Sequence, residues 1–406
     1  MKLLNGNSWS LAASFLFLAA ALPTHPALAM GKAPPPPASY DNTLMAEQTV
    51  GPVVHSAVED QGDVGFCWAY SLSGLMEAES LKRGTKVTLS PEYLALNHMY
   101  YMINTYLPLF AQVDQAGSLG WLLKWIVEEI FNPQGNVNLT MALRELAITG
   151  TMPESAFQYK FPFAVDAQGK RHEIHPTLQE RLQTFTSKNL FDKNKVAAYQ
   201  ANPELLRTEL FNALGVTVPQ PADSFTYEGA SYTPMTFMST YLAFNPGNYE
   251  EVAVLSGKYN SVTSDNPVLG YTHDQAMRII ESALRDGVSV PIAFLIYSDQ
   301  LTAEQTGVFT PQDCDGDSCK TLEGGHAVLA IGLKETSQQS PDPIDALIIK
   351  NSWGTVGLDD HGEVTQDPAQ RGFFLVSSDY LREAENQPKT NGWSFVVPKT
   401  YLRGAP

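Results

Sequence analysis

Residues 58–74 read VEDQGDVGFCWAYSLSG and contain Cys67, one of only three cysteines in the 406-residue chain. After this cysteine, apolar residues recur at helical spacing as far as Gly84, a residue type that commonly ends helices. The pattern predicts a helix over residues 67–82, with Cys67 in its first turn. Three roles are open to Cys67: a buried structural thiol, one half of a disulfide, or a nucleophile.

The first 29 residues indicate export. Lys2 is followed by an apolar run, LAASFLFLAAALP, that is too short to span a bilayer comfortably, and the sequence ALA at residues 27–29 fits a cleavage site. We expect residues 1–29 to be a Sec-type signal peptide, so that the mature chain has no membrane anchor and is periplasmic or secreted. The proline-rich residues 30–50 are predicted to be an extended N-terminal segment or a short propeptide.

The composition is that of a globular protein, with 44% apolar and 17% charged residues. Because 26 basic residues face 43 acidic ones, the net charge is −17. An acidic balance of this size argues against nucleic acid or an anionic membrane as the main partner.

An exported chain usually meets an oxidising compartment, which changes how its cysteines are interpreted. Cys314 and Cys319 lie close together in a loop, CDGDSC, and are predicted to form a small disulfide. Cys67 is then the odd cysteine, and an odd cysteine in a secreted protein is either an intermolecular bridge or a free reactive thiol.

The same acidic loop, DCDGDSC at residues 313–319, has aspartates at alternate positions, as a calcium-binding EF-hand loop does. However, Ser318 and Gly324 occupy the positions at which that loop needs glycine and glutamate. A solvated loop closed by the disulfide fits better than a calcium site. We therefore predict no metal ion and no cofactor.

Two residues of the opening stretch suit catalysis by a thiol. Since the thiolate is the attacking species, the thiol needs a helix N-terminus or a nearby imidazole to lower its pKa. A helix that begins at Cys67 also offers backbone N–H groups, without helical partners, to a developing oxyanion. Gln61 lies six residues earlier and is predicted to be a second oxyanion donor.

An imidazole and an amide with matching chemistry occur late in the chain. His326 stands at the start of a strand-like run in EGGHAVLAIG, where the small Gly325 leaves room for substrate. Asn351 in IIKNSWG has an amide oxygen that accepts one imidazole hydrogen bond and so fixes the tautomer. Trp353 is placed to cover that bond and exclude water.

The motifs QGDVGFCWAYS, GGHAV and KNSWG, in this order, resemble those of the papain-like cysteine peptidases. By that resemblance, Cys67 is the nucleophile and His326 is the base. Asn351 orients the imidazole. Gln61 and the backbone N–H of Cys67 form the oxyanion hole.

Weaker similarities extend to the substrate cleft. AGSLGWLLKWI resembles the family's glycine motif beside the cleft and places Gly117 and Ser118 there, and Trp68 is expected to support the site. Two positions depart from the family pattern. Val64 replaces a cysteine that is usually disulfide-bonded, and Phe66 replaces a small residue directly before the nucleophile.

The resemblance implies an α+β, papain-like fold with two lobes and an active-site cleft between them. We expect residues 51–163 to form a helical N-terminal lobe, and residues 266–406 a β-rich, β-barrel-like C-terminal lobe. His326 follows Cys67 by 326 − 67 = 259 residues, whereas about 130–150 separate the two in the family signature. The excess coincides with the more polar residues 164–265, which are predicted to be an inserted, mainly helical subdomain with a partner-binding or regulatory role left open.

The sequence therefore predicts an exported cysteine endopeptidase. It would hydrolyse peptide bonds in proteins or peptides through a thiolate–imidazolium pair and a covalent acyl-enzyme. Two alternatives stay open. One is a catalytically degenerate papain-like protein that binds without cutting, and the other is an amidase or acyltransferase that acts on a non-protein substrate.

Overall fold

The structure is a computed structural model that describes residues 48–50, 52–61, 65–113, 139–160, 164–165, 171–172, 175–254, 271–297, 307–309, 322–335, 346–386 and 393–402. Several predictions fall outside these residues: the signal peptide, most of the proline-rich segment, the position of Val64, the cleft residues Gly117 and Ser118, and the disulfide between Cys314 and Cys319.

The described chain is mainly helical in its first part and mainly β-stranded in its last part. Up to residue 254 the elements are β1 (Gln48–Val50), α1 (Cys67–Lys82), α2 (Pro91–Val113), α3 (Leu139–Thr149), β2 (Ala164–Val165), β3 (Arg171–His172), α4 (His175–Phe185), α5 (Lys193–Ala201), α6 (Pro203–Leu214), β4 (Phe225–Tyr227), β5 (Ala230–Tyr232), α7 (Pro234–Thr236) and β6 (Tyr249–Val254). From residue 273 they are α8 (His273–Arg285), β7 (Val290–Tyr297), β8 (Val308–Phe309), β9 (Leu322–Glu335), β10 (Ala346–Lys350), β11 (Phe373–Ser377), α9 (Ser378–Asn386) and β12 (Trp393–Pro398).

Helix α1 is the central helix of the fold. The sequence pattern predicted residues 67–82, and the structure confirms Cys67–Lys82. Gly84 follows with a φ of +80°, a left-handed conformation that glycine adopts without steric cost. Thirteen of the 16 helical residues are buried, because other elements cover α1 on nearly all sides.

The large sheet has eight strands among the described residues, in the order β6-β12-β7-β9-β10-β11-β8, with β1 added alongside β9. Neighbouring strands are antiparallel apart from the pair β11 and β8. Strand β9 pairs with β7, β10 and β1, so it fixes the positions of both strands that flank the site described below.

Both faces of the sheet are buried, and alternate residues of β9 point to opposite sides. Ala327 and Leu329 join the apolar cluster that includes α1, whereas Val328 and Ala330 join the cluster formed with α8 and α9. Burial of one large aliphatic side chain contributes about 1.5–3 kcal/mol relative to exposure. The alternation thus fixes which β9 side chains meet α1.

Helices from the predicted insertion pack against α2. The guanidinium group of Arg207 in α6 is buried and donates to Asn97 Oδ1 over 3.0 Å and to the carbonyl oxygen of Pro219 over 2.8 Å. It also lies 5.2 Å from the centre of the Tyr100 ring, at the distance of a cation–π contact. Arg207 therefore ties α6 to two residues of α2.

Strand β6 lies within residues 164–265, but it is an edge strand of the large sheet. It pairs with β12 in antiparallel register over its full length, and Val252 and Val254 are buried. The sequence YEEVAV did not indicate this pairing, because its partner strand begins 139 residues later (393 − 254). None of the helices among the described residues combines the length and apolar character needed to cross a bilayer.

Candidate active site

Cys67 is the first residue of α1, as the sequence predicted, and its side chain is buried. The backbone N–H of Ala327 in β9 donates to Sγ of Cys67 over 3.3 Å. The N–H groups of Cys67 and Trp68 at the start of the helix also stabilise a negative charge on this sulfur. The nucleophile therefore lies where the N-terminus of α1 meets β9.

Burial dominates the acidity of this thiol. Removal from water disfavours the thiolate and raises the pKa of Cys67 from its usual value near 9 to about 11, although backbone N–H groups act in the opposite direction. Cys67 is therefore a neutral thiol at pH 7 in the substrate-free protein.

His326 lies in β9, one residue before Ala327, and is buried. Its Nε2 atom is 2.8 Å from Oδ1 of Asn351. The backbone N–H of Ser352 donates to the same Oδ1 over 2.8 Å, so this atom is the acceptor oxygen of the amide. Nε2 of His326 must then carry the proton, which leaves Nδ1 as the atom that accepts one.

The side chain of Trp353 covers the imidazole. The two rings are stacked with centroids 4.5 Å apart and an angle of 22° between their planes. Burial lowers the pKa of His326 from 6.5 to about 4, and the hydrogen bond that His326 donates to Asn351 opposes this shift only in part. The arrangement matches the predicted water-excluding role of Trp353, and it favours a neutral imidazole.

The acidities of Cys67 and His326 differ from those expected of a ready-made ion pair. The sequence predicted a thiolate–imidazolium pair, whereas burial of both groups favours the neutral thiol and the neutral imidazole. The pair then holds one transferable proton between about pH 4 and pH 11. With a neutral thiol and a neutral imidazole, Cys67 can pass its proton to Nδ1 of His326.

Gln61 is buried and is held against the residue that follows Asn351. Its backbone N–H donates to the carbonyl oxygen of Ser352 over 2.8 Å, and the hydroxyl of Ser352 donates to Oε1 of Gln61. Because Oε1 accepts this bond, the orientation of the amide is fixed and its donor side is defined. Ser352 was not among the site residues predicted from the sequence. Its position between Asn351 and Trp353 is the one sequence feature that could have indicated its role.

The remaining predicted site residues differ in their surroundings. Trp68 is buried beside Cys67, and its ring meets the edge of His98 at a centroid distance of 5.0 Å. Gly325 is exposed, next to His326 and opposite Leu295 of β7. No group of three or more histidine, cysteine, aspartate or glutamate side chains among the described residues is arranged to hold a metal ion.

The site thus brings together a thiol, an imidazole, an amide and two sets of backbone donors. These are the functional groups that a cysteine-type acyl-transfer enzyme uses. Residues 241–363 match the model of the papain family of cysteine proteases, a range that includes His326 and Asn351 and begins after Cys67. The chain has no match among curated protein sequences.

The chain is similar to solved structures to different degrees. PepW from Lactobacillus rhamnosis hn001 is similar with a TM-score of 0.57 and 16% identity, covering 99% of this chain and 93% of PepW. Xylellain, a cysteine protease from Xylella fastidiosa, gives a TM-score of 0.37 at 16% identity, with 92% and 98% of the two chains covered. Digestive procathepsin L 3 of Tenebrio molitor gives 0.35 at 17% identity, with 94% and 78% covered.

The similarity to PepW supports the fold, which is mixed α+β and papain-like, as predicted. The family match supports the class of chemistry. Over residues 241–363 the chain is similar to the papain family of cysteine proteases.

Proposed function

We propose that the chain is an exported endopeptidase in which Cys67 is the nucleophile, His326 the acid–base group and Asn351 the residue that orients His326. The observation that carries this proposal is the hydrogen bond from His326 Nε2 to Asn351 Oδ1 at 2.8 Å, beside a thiol that lies 3.3 Å from the Ala327 nitrogen. The bond assigns the proton to Nε2 and so turns the basic Nδ1 atom to the reaction.

The reaction begins with proton transfer from the Cys67 thiol to Nδ1 of His326, which creates the thiolate–imidazolium pair. Sγ then bonds to the carbonyl carbon of the substrate, and its oxygen becomes an oxyanion. When the carbon–nitrogen bond breaks, the imidazolium donates its proton to the leaving amine and a thioester remains. Water gives a proton to Nδ1 and adds to the thioester, and the acid product leaves as the proton returns to Sγ.

The neutral resting pair is consistent with this sequence of steps. The charges appear only after proton transfer, when each ion is stabilised by the other and the thiolate is stabilised by the helix N–H groups. The backbone N–H of Cys67 and the side chain of Gln61 are the donors that we assign to the oxyanion. The hydrogen bond from Ser352 supports this role because it fixes the Gln61 amide.

We also propose the finer organisation that the resemblance implies. The substrate cleft runs between a helical lobe at residues 51–163 and a β-rich, β-barrel-like lobe at residues 266–406, with Gly325 on its floor and Trp68 behind the nucleophile. Residues 164–265 are an insertion that borders the helical lobe. The contacts of Arg207 with Asn97 and Tyr100 support that placement.

Export is part of the proposal and rests on the first 29 residues. Expression of the full chain in a Gram-negative host is expected to release a protein that begins at Met30 into the periplasm. N-terminal sequencing of the periplasmic fraction checks the cleavage site, and a chain that keeps residues 1–29 in the membrane fraction contradicts it.

The catalytic assignment is tested with the form that begins at Met30, assayed against an internally quenched peptide library under reducing conditions. Cleavage of internal bonds is expected, and the Cys67→Ala variant is expected to abolish it. Ser187→Ala changes an exposed hydroxyl and is the matched control. Full hydrolysis by Cys67→Ala would overturn the assignment of the nucleophile.

A further inference from the structure

Several acidic side chains are buried between α1, α2 and the end of β10. Glu77 in α1 and Glu92 in α2 are almost completely buried, and the Oε2 atom of Glu59 is closed to solvent although that residue is partly exposed. Lys350 at the end of β10 and Lys160 are the lysines that act on this group. These three carboxyl groups, together with Glu154, therefore share two ammonium groups.

Lys160 is engaged by two other carboxylates. Its Nζ atom lies 3.2 Å from Glu92 Oε1 and 3.0 Å from Glu154 Oε1. The hydroxyl of Tyr70 also donates to Glu92 over 2.9 Å. The positive charge of Lys160 is therefore shared between Glu92 and Glu154, and only its longer-range attraction is left for Glu59.

Lys350 is directed at Glu77. Its Nζ donates to the hydroxyl of Ser56 over 2.6 Å, and Ser56 in turn hydrogen-bonds to the Glu77 carboxylate. The backbone N–H of Leu89 donates to Oε1 of Glu77 over 2.7 Å. Oε2 of Glu59 and Oε2 of Glu77 both lack a hydrogen-bond partner among the described residues, so Glu77 differs from Glu59 through its bonds with Leu89 and Ser56.

Burial raises the pKa of both Glu59 and Glu77, but Lys350 and the hydrogen bonds from Leu89 and Ser56 stabilise the charged form of Glu77. The proton is therefore assigned to Glu59. Burial and the negative charge of Glu77 raise the pKa of Glu59 from 4.5 to about 8, although the attraction of Lys350 and Lys160 acts in the opposite direction. The charged and titratable groups that face this cluster are Tyr70, Glu77, Glu92, Glu154, Lys160 and Lys350. At pH 7 Glu59 is consequently a neutral carboxylic acid.

The backbone at Glu59 is part of the catalytic site. Its carbonyl oxygen accepts from the N–H of Gly354 over 3.2 Å, and two residues later Gln61 donates to Ser352. The isolated bridge between Asp60 and Trp353 completes a short two-stranded ladder. This ladder joins the segment with the oxyanion-hole glutamine to the segment after Asn351.

Glu59 also borders a cavity next to the residues of the proposed catalytic site. It lines this small cavity together with Lys350, Asn351 and Ser352. A negative charge in that cavity either draws Lys350 away from Ser56 or pulls Glu59 out toward water. Either movement displaces the ladder, because Glu59 lies two residues before Gln61 in the chain and Lys350 directly precedes Asn351.

We propose that neutral Glu59 is a positioning residue, which keeps Gln61 and Asn351 in their working geometry by holding the 59–61 segment against residues 352–354, and that its ionisation releases this segment. The inference rests on the proposed roles of Gln61 and Asn351. It goes beyond them because it assigns a function to a group that does not touch the substrate.

The test is a pH profile of kcat/KM between pH 6 and pH 10 for the form that begins at Met30. A decline centred near pH 8 is expected from Glu59, well below the pH of about 11 at which Cys67 deprotonates, and the Glu59→Gln variant assigns it. Activity at pH 9 is expected to be about tenfold lower than at pH 7. Glu59→Gln, which mimics the neutral acid, is expected to lose this decline, whereas Glu59→Ala lowers activity at all pH values.

Glu79→Gln is the matched control, because Glu79 lies on the same helix as Glu77 and pairs with Lys82 at the surface. It is expected to keep the profile of the parent protein. An identical decline in Glu59→Gln, or a parent profile that is flat to pH 10, overturns the proposal.

A measurement without catalysis separates this inference from the proposed function. The melting temperature of Glu59→Gln relative to the parent is expected to rise as pH increases from 5 to 8, because the unfolded chain releases the Glu59 proton earlier than the folded one. A difference that does not change with pH overturns the Glu59 inference alone. Hydrolysis that survives Cys67→Ala overturns the proposed function, and the positioning role with it.

Discussion

The indole ring of Trp353 is stacked on the imidazole ring of His326, with 4.5 Å between the ring centres. Both rings belong to the same site, but they come from different strands or loops, and the contact removes one face of the imidazole from water. Since dehydration disfavours the imidazolium ion, this contact contributes to the low pKa of His326.

We expect the acid limb of kcat/KM to move when this cover is removed. In the parent protein the imidazole becomes protonated, and the base is lost, as pH falls through about 4. In Trp353→Ala water reaches the ring, so the pKa of His326 shifts upward toward its usual 6.5 and the acid limb shifts with it. Trp353→Phe retains an aromatic cover and is the control. The proton-transfer assignment is contradicted if all three proteins share one acid limb.

Asn351 is expected to contribute to kcat more than to KM. Its Oδ1 atom fixes the proton on Nε2 of His326, and this arrangement matters when Nδ1 receives the thiol proton. Removal of one buried hydrogen bond costs about 1–3 kcal/mol, which corresponds to a roughly 5- to 150-fold lower kcat for Asn351→Ala. Steady-state kinetics of Asn351→Ala check this, and a change confined to KM contradicts the orienting role.

The residues that we propose for catalysis could be selected from the sequence because each stands in a recognisable local pattern. Cys67 begins a helix whose apolar spacing is readable, and His326 and Asn351 stand beside apolar strands with glycine or tryptophan neighbours. Helix and strand periodicity depend on neighbouring residues, so these elements were predicted, although β9 begins at Leu322, four residues before His326, where the sequence placed the start of the strand. The structure confirms the helix at Cys67–Lys82.

Features that depend on distant residues were not predicted. Strand β6 pairs with β12 across more than a hundred residues, and its two glutamates hide the alternation of its buried valines. The ionisation of Glu59 depends on Glu77 and Lys350, which arrive from α1 and β10. No spacing along the chain reveals that these charges meet. The neutral resting state of Cys67 and His326 was missed for the same reason, since it follows from burial by the whole fold.

Ser352 and Gln61 are expected to act as a unit. The Ser352 hydroxyl holds Oε1 of Gln61, so Ser352→Ala frees the amide to rotate away from the oxyanion. Loss of one oxyanion donor costs about 10²–10³ in kcat, which we expect for Gln61→Ala, with a smaller loss for Ser352→Ala. In the double variant the effects should not add, because the hydroxyl has no amide left to orient. If the losses in kcat of the two single variants instead multiply in the double variant, Gln61 and Ser352 act independently and this prediction is wrong.

Arg207 is expected to matter for stability and little for the chemistry. It is buried and its guanidinium donates to Asn97 and to the Pro219 carbonyl, so Arg207→Met leaves buried acceptors without their donor. Burial without the partner costs about 1–3 kcal/mol for each such group, and we expect the free energy of unfolding to fall by about 2–4 kcal/mol. Urea denaturation measures this change.

The control for Arg207 is Lys195→Met, which removes an ion pair with Glu209 that is 2.7 Å long and partly exposed at the surface. Exposed pairs of this kind contribute about 0–1 kcal/mol, so this variant should unfold close to the parent. Because Arg207 joins α6 to α2 and lies apart from the catalytic side chains, kcat/KM of the folded Arg207→Met protein should stay near that of the parent. Equal stability of the two variants would mean that the Arg207 contacts do not hold α6 on α2.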